Sequence, residues 1–427
     1  AENHLEFNAI KGFKDILPEE ITNWHYLDFS FRRLFEAFGF HEIKTPLLEK
    51  NEVFSRSIGQ DTDIVSKEMY SLKDSRGQVL TLRPEATASV VRAYIQHRLY
   101  EKNPVQKLYS FGPMFRRERP QKGRFRQFHQ INAELIGDPG PKSDADIIAM
   151  AVFLFETIGL SGLVLNINSL GCPVCRSGFR DELKDYLEQK KSSLCDDCQR
   201  RSETNPLRVF DCKLDECRNI VSDAPSIPDF ICRDCREHFE SLQRYLNCLN
   251  ISYILNHRLV RGLDYYTRTA FEIQTEHLGA QNAIAGGGRY DGLVNLLGGP
   301  DHPAIGFAVG VERVIALLEE KQLMETKTPD LFVAALGEAA EAQSLNWIMA
   351  LRKSGIWVET DYSLKGLKAQ MKRADRLGAK NVLIMGDDEL AIGRAVFRNM
   401  ATREQHELNT ENILDNIRKV LKNNGKQ

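Results

Sequence analysis

The sequence has no long hydrophobic run and no strong excess of charge of either sign. No apolar stretch reaches the roughly 18 residues that a membrane-spanning helix needs, and the N-terminal residues lack the apolar core of a secretory signal. The 57 basic and 59 acidic residues leave a net charge of -2. This balance excludes a uniformly basic nucleic-acid coat, but it permits a local basic surface. We therefore expect a cytoplasmic protein with no membrane partner.

Cysteine is scarce outside one segment of the chain. Eight of the nine cysteines lie between Cys172 and Cys235, and Cys248 alone stands apart. In a reducing compartment, such clustering favours metal binding over disulfide bonds. The first four fit the C-x2-C-x15–20-C-x2-C spacing of a zinc site, and the other four form a second set. The candidate ligands are Cys172, Cys175, Cys195, Cys198, Cys212, Cys217, Cys232 and Cys235.

Two structural zinc sites of four thiolates each are the simplest interpretation of this count. Closed thiolate sites support folding rather than catalysis, because they leave no open coordination position. The spacing does not decide which cysteine pairs share a metal. Reduced buried thiols without a metal, or an iron–sulfur cluster, are alternatives.

The length of 427 residues allows two or three domains with sizeable cores. Residues 171–250 are charged, cysteine-rich and helical in pattern, which predicts a domain inserted into a core spanning residues 1–325. Residues 326–329 read as a linker. Strand and helix patterns then alternate, predicting a separate α/β domain at residues 329–427. By itself this pattern would suit a generic regulatory or nucleotide-binding module almost as well.

Near the N-terminus, the pattern predicts a long helix followed by a strand. Apolar spacing favours a helix over residues 22–38, with Thr22 as its N-cap. Residues 40–48 read as a strand, and Pro46 within it demands a non-central or interface position, since proline cannot donate to a sheet ladder. Residues 69–81 predict a hairpin.

Two further helix starts are predicted from capping residues. Pro84 is suited to the first position of a helix, which would place the Glu85 carboxylate near free backbone N–H groups. Ser143 and Asp146 suit the cap of an apolar helix over residues 144–157. By itself, Glu85 is typical of a carboxylate that only stabilises a helix dipole.

Residues 107–137 combine two strand-like runs with a cationic loop. The runs cover residues 108–115 and 125–136, and a single carboxylate, Glu118, lies among the basic residues between them. Such a hairpin is suited to holding a polyanion, although a solvated basic loop has the same charge. The basic residues are Arg116, Arg117, Arg119, Lys122, Arg124 and Arg126.

The order of residue types in this hairpin resembles a known motif. Phe115-Arg116-Arg117-Glu118, followed by Phe125-Arg126-Gln127-Phe128, resembles motif 2 of the class II aminoacyl-tRNA synthetases. The longer string FRRERPQKGRFRQFHQ is similar to the histidyl-tRNA synthetase version. Residues 22–49 resemble motif 1, which forms the dimer interface in the family. Residues 304–320, AIGFAVGVERVIALLEE, resemble motif 3, and residues 329–427 resemble the anticodon-binding domain of the class IIa enzymes.

The resemblance implies a fold and an activity. The fold is an α+β class II core, an antiparallel sheet with helices, carrying the inserted helical domain and the C-terminal α/β domain. The activity joins histidine to ATP, giving histidyl-adenylate and pyrophosphate, and then transfers the histidyl group to the 3′ end of tRNA(His). A homodimer and Mg²⁺ bound with ATP are also implied. Such chemistry depends on positioning and on stabilising charge at the α-phosphate.

The family pattern also assigns roles to single residues. The catalytic arginines are Arg116 and Arg261, at the α-phosphate, and Arg313, at the γ-phosphate; arginine suits phosphate because its planar fork is bidentate and stays charged. Each arginine alone is more typical of a surface salt bridge. The histidine-binding residues implied are Glu85, Thr87, Arg116, Gln130, Glu134, Arg261, Tyr265 and Tyr266. The ATP-binding residues implied are Arg116, Glu118, Arg124, Phe128 and Arg313, and those near the tRNA acceptor end are Arg119 and Gln121.

This chain departs from the family string at Ala86, where glycine usually follows the glutamate, and the change affects backbone geometry more than chemistry.

Two other functions compete with the synthetase. The regulatory subunit of ATP phosphoribosyltransferase shares the core but generally lacks the C-terminal domain and parts of the ATP and tRNA apparatus. A zinc-dependent nucleic-acid-binding protein would explain the cysteines and nothing else.

Overall fold

The computed structural model describes residues 7–59, 62, 64–120, 123–276, 282–321, 327–363 and 365–424. The chain divides into two compact units, Ala1–Met324 and Glu325–Gln427. In the described part of the chain, no helix has both the length and the apolar character required to cross a membrane.

The first unit is built on an eight-stranded mixed sheet. The six central strands run antiparallel, and the two short outer strands are parallel to their neighbours. In spatial order the strands are β1 (His41–Glu42), β5 (Gln106–Phe115), β6 (Gln127–Ile136), β11 (Ala304–Gly310), β10 (Ala283–Arg289), β9 (Thr267–Gln274), β7 (Val164–Ser169) and β8 (Ile254–Leu255). The predicted antiparallel sheet is thus confirmed for its centre, and its edges are parallel.

A smaller sheet lies in the N-terminal part of this unit. It contains β2 (Leu48–Lys50), β4 (Val79–Leu82) and β3 (Tyr70–Lys73), in that order. The antiparallel β3–β4 pair confirms the predicted hairpin. The helices here are α1 (Ile21–Ala37), α2 (Asn51–Ile58), α3 (Thr87–Gln96), α4 (Pro141–Thr157), α9 (Leu293–Leu296) and α10 (Val311–Lys321).

The two faces of the large sheet have different roles. Helices α1, α4 and α10 supply residues to an apolar core with the inward side chains of the strands, among them Ile131, Phe271 and Phe307. Because successive strand residues point to opposite faces, Gln130, Asn132 and Glu134 of β6 lie on the other face. Polar groups on that face are therefore free of the main core.

Residues 172–248 are helical, as predicted. They form α5 (Pro173–Gln189), α6 (Asp196–Thr204), α7 (Asp215–Ser222) and α8 (Arg233–Cys248), with 3-10 turns at Lys191–Ser193, Pro206–Asp211 and Ile227–Asp229. Their small core includes Phe179, Leu183 and Val209. Helix α8 also contributes to the main core, and His238 of α8 lies 2.8 Å from the buried carboxylate of Asp144. This segment, residues 172–248, is called the inserted segment below.

The second unit is an α/β fold, as predicted. Its sheet has the order β13-β12-β14-β15-β16, in which the first three strands are parallel and the last two antiparallel. The elements are β12 (Leu331–Leu336), α11 (Glu338–Lys353), β13 (Val358–Thr360), α12 (Leu367–Arg376), β14 (Asn381–Gly386), α13 (Asp387–Ala391), β15 (Arg394–Asn399), β16 (Gln405–Asn409) and α14 (Ile413–Asn424).

Two predicted elements in the N-terminal half were wrong in their bounds. Of the strand predicted over residues 40–48, only β1 forms in the large sheet. The chain then leaves that sheet, passes through Pro46 and begins β2 of the smaller sheet at Leu48. The helix predicted to begin at Pro84 begins at Thr87. The carbonyl of Arg83 accepts from the N–H of Phe115, and the carbonyl of Pro84 accepts from Arg116 Nε, so neither is available to a helix.

The predicted cap of α4 was also wrong. This helix starts at Pro141 after Gly140, with no side-chain cap. The Ser143 hydroxyl instead donates to the Gly140 carbonyl at 2.7 Å. Asp146 lies in the second turn of this helix, too far along to cap it, and its carboxylate pairs with Lys107 at 3.1 Å.

Candidate active site

The site lies on the open face of the large sheet, where glycines remove side chains from the floor. Gly306 of β11 pairs with Glu134 of β6, and a Cβ atom at residue 306 would overlap the carboxylate of that glutamate. A Cβ atom at Gly286 of β10 would likewise overlap the guanidinium of Arg261. The glycines of β10 and β11 therefore make room for two charged side chains above the sheet.

Glu134 forms a buried acidic site with three hydrogen-bond donors. Thr87 Oγ1 donates to its Oε1 at 2.7 Å, and Asn132 Nδ2 donates to the same oxygen at 3.1 Å. The Tyr290 hydroxyl donates to Oε2. Burial raises the pKa of Glu134 to about 8, against the opposing effect of these hydrogen bonds. A buried carboxyl group fixed in this way can recognise a polar ring by direct hydrogen bonding.

Glu85 provides a second buried carboxylate close by. It accepts from the Tyr265 hydroxyl at 2.8 Å and from the N–H of Ala88 at 3.0 Å. Burial raises the pKa of Glu85, while the hydrogen bond from Tyr265 and the positive charge of Arg116 act to lower it. The predicted contact with free backbone N–H groups is thus present, although Glu85 precedes α3. A cationic amino group would relieve the cost of a buried negative charge here.

Arg261 lies beside this acidic pocket and is paired. Its Nη1 is 2.6 Å from Glu272 Oε2, and its guanidinium lies 5.7 Å from the ring centroid of Tyr266. Burial acts to lower the pKa of Arg261, but the combined electrostatic effects of Glu272, Tyr266, Asp211 and Tyr265 outweigh burial, and the net pKa is raised. This arginine therefore remains a cation in a buried position.

A group of arginines and one carboxylate marks the other end of the site. Glu118 lies 2.8 Å from Arg124 and 3.7 Å from Arg116, and the Arg116 guanidinium is 5.3 Å from the ring of Phe128. Burial lowers the pKa of Arg313, and the charge of Arg124 acts in the same direction. Mutual repulsion among partly buried arginines favours an anionic ligand between them.

The remaining predicted residues are less closely tied to this arrangement. Gln130 lies in β6 opposite Gly112 and Gly310, on the same face as Glu134. Arg119 is exposed in the loop after β5. Gln121 lies outside the described residues.

Eight of the cysteines form two compact groups, and all nine are free thiols. Within each group the sulfur atoms lie within 4.8 Å of one another. The groups are Cys172, Cys175, Cys232 and Cys235, called cluster 1, and Cys195, Cys198, Cys212 and Cys217, called cluster 2. The spacing left open which cysteine pairs share a metal, and the structure brings the first pair in the chain together with the last. Cluster 1 forms because the starts of α5 and α8 meet, which no local spacing could reveal.

The thiol chemistry of both clusters suits a soft divalent cation. Burial acts to raise the pKa of Cys172, but hydrogen bonds from the Cys175 backbone and thiol lower it to about 7. In cluster 2 the balance likewise lowers the pKa of Cys195, although burial raises it. Each cluster thus contains one thiol with a lowered pKa, whereas burial raises the pKa of Cys175 and Cys235 in cluster 1 and of Cys198 and Cys217 in cluster 2. Metal binding must release the protons of these thiols, since the ligands are thiolates. Four thiolates at this separation fit tetrahedral zinc.

Comparison with known proteins is decisive for the family. Residues 12–314 match the histidyl-tRNA synthetase family, and residues 330–420 match the anticodon binding domain. This chain belongs to the histidyl-tRNA synthetase family. It is 54% identical to a histidine–tRNA ligase of Desulfosudis oleivorans, over 93% of this chain and 95% of the relative. It is 52% identical to one of Geobacter sulfurreducens, over 94% of this chain and 96% of the relative.

Solved structures of the family have the same fold. The histidyl-tRNA synthetase of S. aureus in its apo form matches with a TM-score of 0.81 and 36% identity, covering 96% of this chain and 100% of that one. A Bacillus halodurans protein described as an ATP phosphoribosyltransferase regulatory subunit/histidyl-tRNA synthetase matches with a TM-score of 0.65 at 19% identity, over 89% of this chain and 98% of that one. At that identity the likeness concerns the fold alone.

Sequence reasoning missed several residues of this synthetase-family site. Tyr290 and Asn132 complete the partners of Glu134, and Glu272 pairs with Arg261. Tyr290 lies two residues after the Gly286–Gly288 string. A tyrosine directly beyond a glycine-rich strand was the signal in the sequence that could have pointed to it. Lys213 was also missed. Burial lowers its pKa, and the positive charges of Arg124 and Arg313 add to this effect, so it lies near the arginine end.

Magnesium has no equivalent cluster of ligands. Among the residues that the structure describes, only the two cysteine clusters bring three or more typical metal-binding side chains together. Magnesium ions prefer phosphate and carboxylate oxygens and keep several waters. The site thus fits Mg²⁺ that arrives with the phosphates of ATP.

Proposed function

We propose that this chain activates histidine with ATP and then transfers the histidyl group to the 3′ end of tRNA(His). Family membership and about 50% identity to histidine–tRNA ligases over nearly the whole chain support this activity. The proposal rests mainly on two neighbouring regions of the site that carry opposite charge. A buried acidic pocket at Glu85 and Glu134 adjoins an arginine group at Arg116 and Arg313.

The acidic pocket would hold histidine. Glu134 and Tyr266 would face the imidazole ring, while Glu85, Thr87 and Gln130 would face the amino group and Tyr265 would line the pocket. The buried Glu134 carboxyl rejects analogues without ring nitrogens, because its polar atoms would then lose a partner at a cost of about several kcal/mol. Its support by Thr87 and Asn132 fixes the orientation that such discrimination needs.

The arginine end would hold ATP. Phe128 would stack on adenine, and Glu118, with Arg124 beside it, would accept a hydrogen bond from the base. Arg313 would contact the γ-phosphate. The ring of Phe128 is already paired with the Arg116 guanidinium, so base and α-phosphate sites would be contiguous.

In the first step, a carboxylate oxygen of histidine attacks the α-phosphorus of ATP, and the bond to the β-phosphate oxygen breaks to release pyrophosphate. Arg116 and Arg261 would neutralise the charge on the α-phosphoryl oxygens. Arg116 is fixed by its 2.8 Å bond to the Pro84 carbonyl, and Arg261 by Glu272. Such preorganised cations stabilise the transition state with no reorganisation at the moment of reaction.

Metals and tRNA complete the proposal. Mg²⁺ would enter with ATP, and zinc would occupy both cysteine clusters as a structural ion. Arg119, in the loop after β5, and Gln121 of the resembling motif would approach the acceptor end of tRNA. The predicted insertion at residues 171–250 and the α/β region at residues 329–427 would act as domains attached to a core of residues 1–325, and the α/β region would contact the anticodon.

A homodimer is also proposed, working in the cytoplasm where tRNA is charged. Residues 22–49, which resemble motif 1, expose apolar side chains: Phe29 is 64% exposed, and Leu47 is 42% exposed. Exposed large apolar groups along one helix and the following chain are suited to an interface. Sedimentation velocity would show a dimer for the parent protein and a shift towards monomer for Phe29→Asp.

The rival function, a regulatory subunit of ATP phosphoribosyltransferase, is less well supported. Its likeness rests on a structure at 19% identity, whereas residues 330–420 of this chain match an anticodon binding domain.

Histidine-dependent ATP–pyrophosphate exchange tests the proposal, with the other amino acids as controls. Exchange with histidine alone is expected. Absence of exchange, in folded protein that still binds histidine, would favour the regulatory subunit instead.

A further inference from the structure

The loop at residues 260–266, called the histidine loop here, has no regular structure of its own. It lies between β8 and β9, outside any helix or strand, and carries Arg261, Tyr265 and Tyr266. Loops of this kind owe their position to tertiary contacts. From the core, the N–H of Asp264 donates to the carbonyl of Ile58 at 3.1 Å. The Tyr265 hydroxyl also donates to Glu85 at 2.8 Å, and Arg261 pairs with Glu272 at 2.6 Å. Further contacts to the middle and the end of the loop come from the inserted segment and its flanking residue Gly171.

The middle of the histidine loop is held by the 3-10 turn Pro206–Asp211. Arg208 Nη2 donates to the carbonyl of Gly262, and its Nε lies 3.5 Å from Asp264 Oδ1. Asn205 Nδ2 donates to the same carboxylate oxygen at 3.0 Å. The Arg208 side chain is only 12% exposed. One guanidinium therefore binds both a carbonyl and a carboxylate of the loop in a largely buried contact.

The end of the loop is held from the other side of the inserted segment. Arg176, in the first turn of α5, donates through Nη1 to the carbonyl of Tyr266 at 2.8 Å. The N–H of Arg268 donates to the carbonyl of Gly171 at 2.9 Å. The space between these elements and the loop is a cavity of about 20 Å³, lined by both. Such a cavity has room for about one water molecule.

The two arginines that contact the loop, Arg176 and Arg208, are close in sequence to different cysteine clusters. Arg176 directly follows Cys175 of cluster 1, and Arg208 lies between Cys198 and Cys212 of cluster 2. The helices around cluster 2 are short, at nine residues for α6 and eight for α7. Helices of that length are marginal by themselves. Metal binding in such a small core contributes directly to its folding free energy.

We propose that the inserted segment positions the histidine loop, with Arg208 and Arg176 as positioning residues, and that metal occupancy of the two cysteine clusters thereby sustains histidine activation. The inference rests on the proposed function only for the role of Arg261, Tyr265 and Tyr266. Cluster 1 would stabilise the contact that Arg176 makes with the loop, and cluster 2 would stabilise the contact that Arg208 makes with it. Loss of zinc would release the loop without removing any group that contacts substrate.

The test compares full-length, zinc-loaded variants. Arg208→Ala and Arg176→Ala should each lower kcat/KM for histidine in pyrophosphate exchange by roughly 10- to 100-fold, as expected from small displacements of a site. The rate of backbone amide hydrogen–deuterium exchange over residues 260–266 should rise in these variants, while their zinc content should stay unchanged. Arg208→Lys, which keeps the charge, should restore part of the loss. Arg200→Ala is the matched control, because Arg200 is exposed on α6 and its guanidinium pairs with the likewise exposed Asp197.

A second arm does not depend on the variants folding. Zinc is released from the parent protein with a thiol-directed mercurial and a chelator, and deuterium exchange over residues 260–266 is measured before and after. Faster exchange there supports the proposal. Unchanged exchange in this arm, or variants that match the parent in both kinetics and loop protection, overturns it. A parent protein that lacks histidine-dependent activity would refute the proposed function, while the deuterium measurements would still decide the positioning role.

Discussion

The carboxylate of Glu134 occupies the space that a side chain at Gly306 would fill. The two residues are paired across β6 and β11, and a Cβ atom at residue 306 would overlap Oε2 of the glutamate and the backbone carbonyl of Ala133. The backbone carbonyl cannot move aside as a flexible side chain could. The absence of a single methyl group at residue 306 is thus a condition for the acidic pocket.

Gly306→Ala should therefore abolish most histidine activation. The added methyl group must displace Glu134, and a displacement of about 1 Å at an active site can lower the rate roughly 100-fold. Pyrophosphate exchange at saturating ATP measures the loss. Gly292→Ala is the matched control, because among the residues that the structure describes none except its two chain neighbours lies within 4 Å of a Cβ atom at that position. Equal activity of the two variants would contradict the assigned pocket.

Arg261→His should reduce adenylate formation while the fold is retained. Removing a preorganised cation near developing charge costs on the order of 100- to 1,000-fold in rate. Single-turnover formation of histidyl-adenylate is the measurement, with thermal unfolding as the check on folding. Arg244→His, on an exposed face of α8, provides the same substitution outside the site. Unchanged adenylate formation would refute the role of Arg261.

Phe128→Ala should raise KM for ATP by on the order of tenfold, because stacking of a base on an aromatic ring contributes about 1–3 kcal/mol. KM for histidine should change little. Phe128→Tyr retains the ring and should behave as the parent protein does. If ATP affinity is insensitive to loss of the ring, adenine does not stack there.

Glu134 should make the substrate-free protein less stable as pH rises. Burial raises its pKa to about 8 from an ordinary value of 4.5, so the folded state holds the proton more tightly than the unfolded state between these pH values. The free energy of unfolding then falls with rising pH in that window, by up to about 1.4 kcal/mol per pH unit from this one group. Equilibrium urea unfolding of the parent and of Glu134→Gln should differ in this slope. Parallel pH profiles would show that Glu134 titrates normally.

The pairing of the cysteines can be tested by counting zinc. With the clusters described here, Cys172→Ser combined with Cys232→Ser damages one cluster and should leave one zinc ion per chain. Cys172→Ser combined with Cys195→Ser damages both and should leave none. The variants are dialysed against a weak chelator before the metal is measured, and Cys248→Ser should lose nothing. The opposite outcome for the two double variants would show that the first four cysteines of the chain share one metal and the last four the other.

Much of this protein could be predicted from residue order alone. Alternating and helical apolar spacings identified α1, the β3–β4 hairpin and the C-terminal α/β unit, and a change of composition indicated the helices of residues 172–248. The motif around Arg116 to Phe128, with Arg261 and Arg313 further along, indicated the family. These features depend on residues close in sequence, where side-chain spacing and backbone geometry are directly coupled. The bounds of elements next to the site were less predictable, since the carbonyls before α3 are taken by β5 and Arg116.

Only the tertiary structure decided which distant groups meet. The sequence by itself determined the kinds of ligand, eight thiols and a set of arginines and carboxylates, because these are properties of residue type. Strand register decided that Gly306 faces Glu134, and the meeting of α5 with α8 decided that Cys172 and Cys232 share a cluster. Such contacts join residues far apart in the chain, so they follow from packing of whole elements and leave no signature in local spacing.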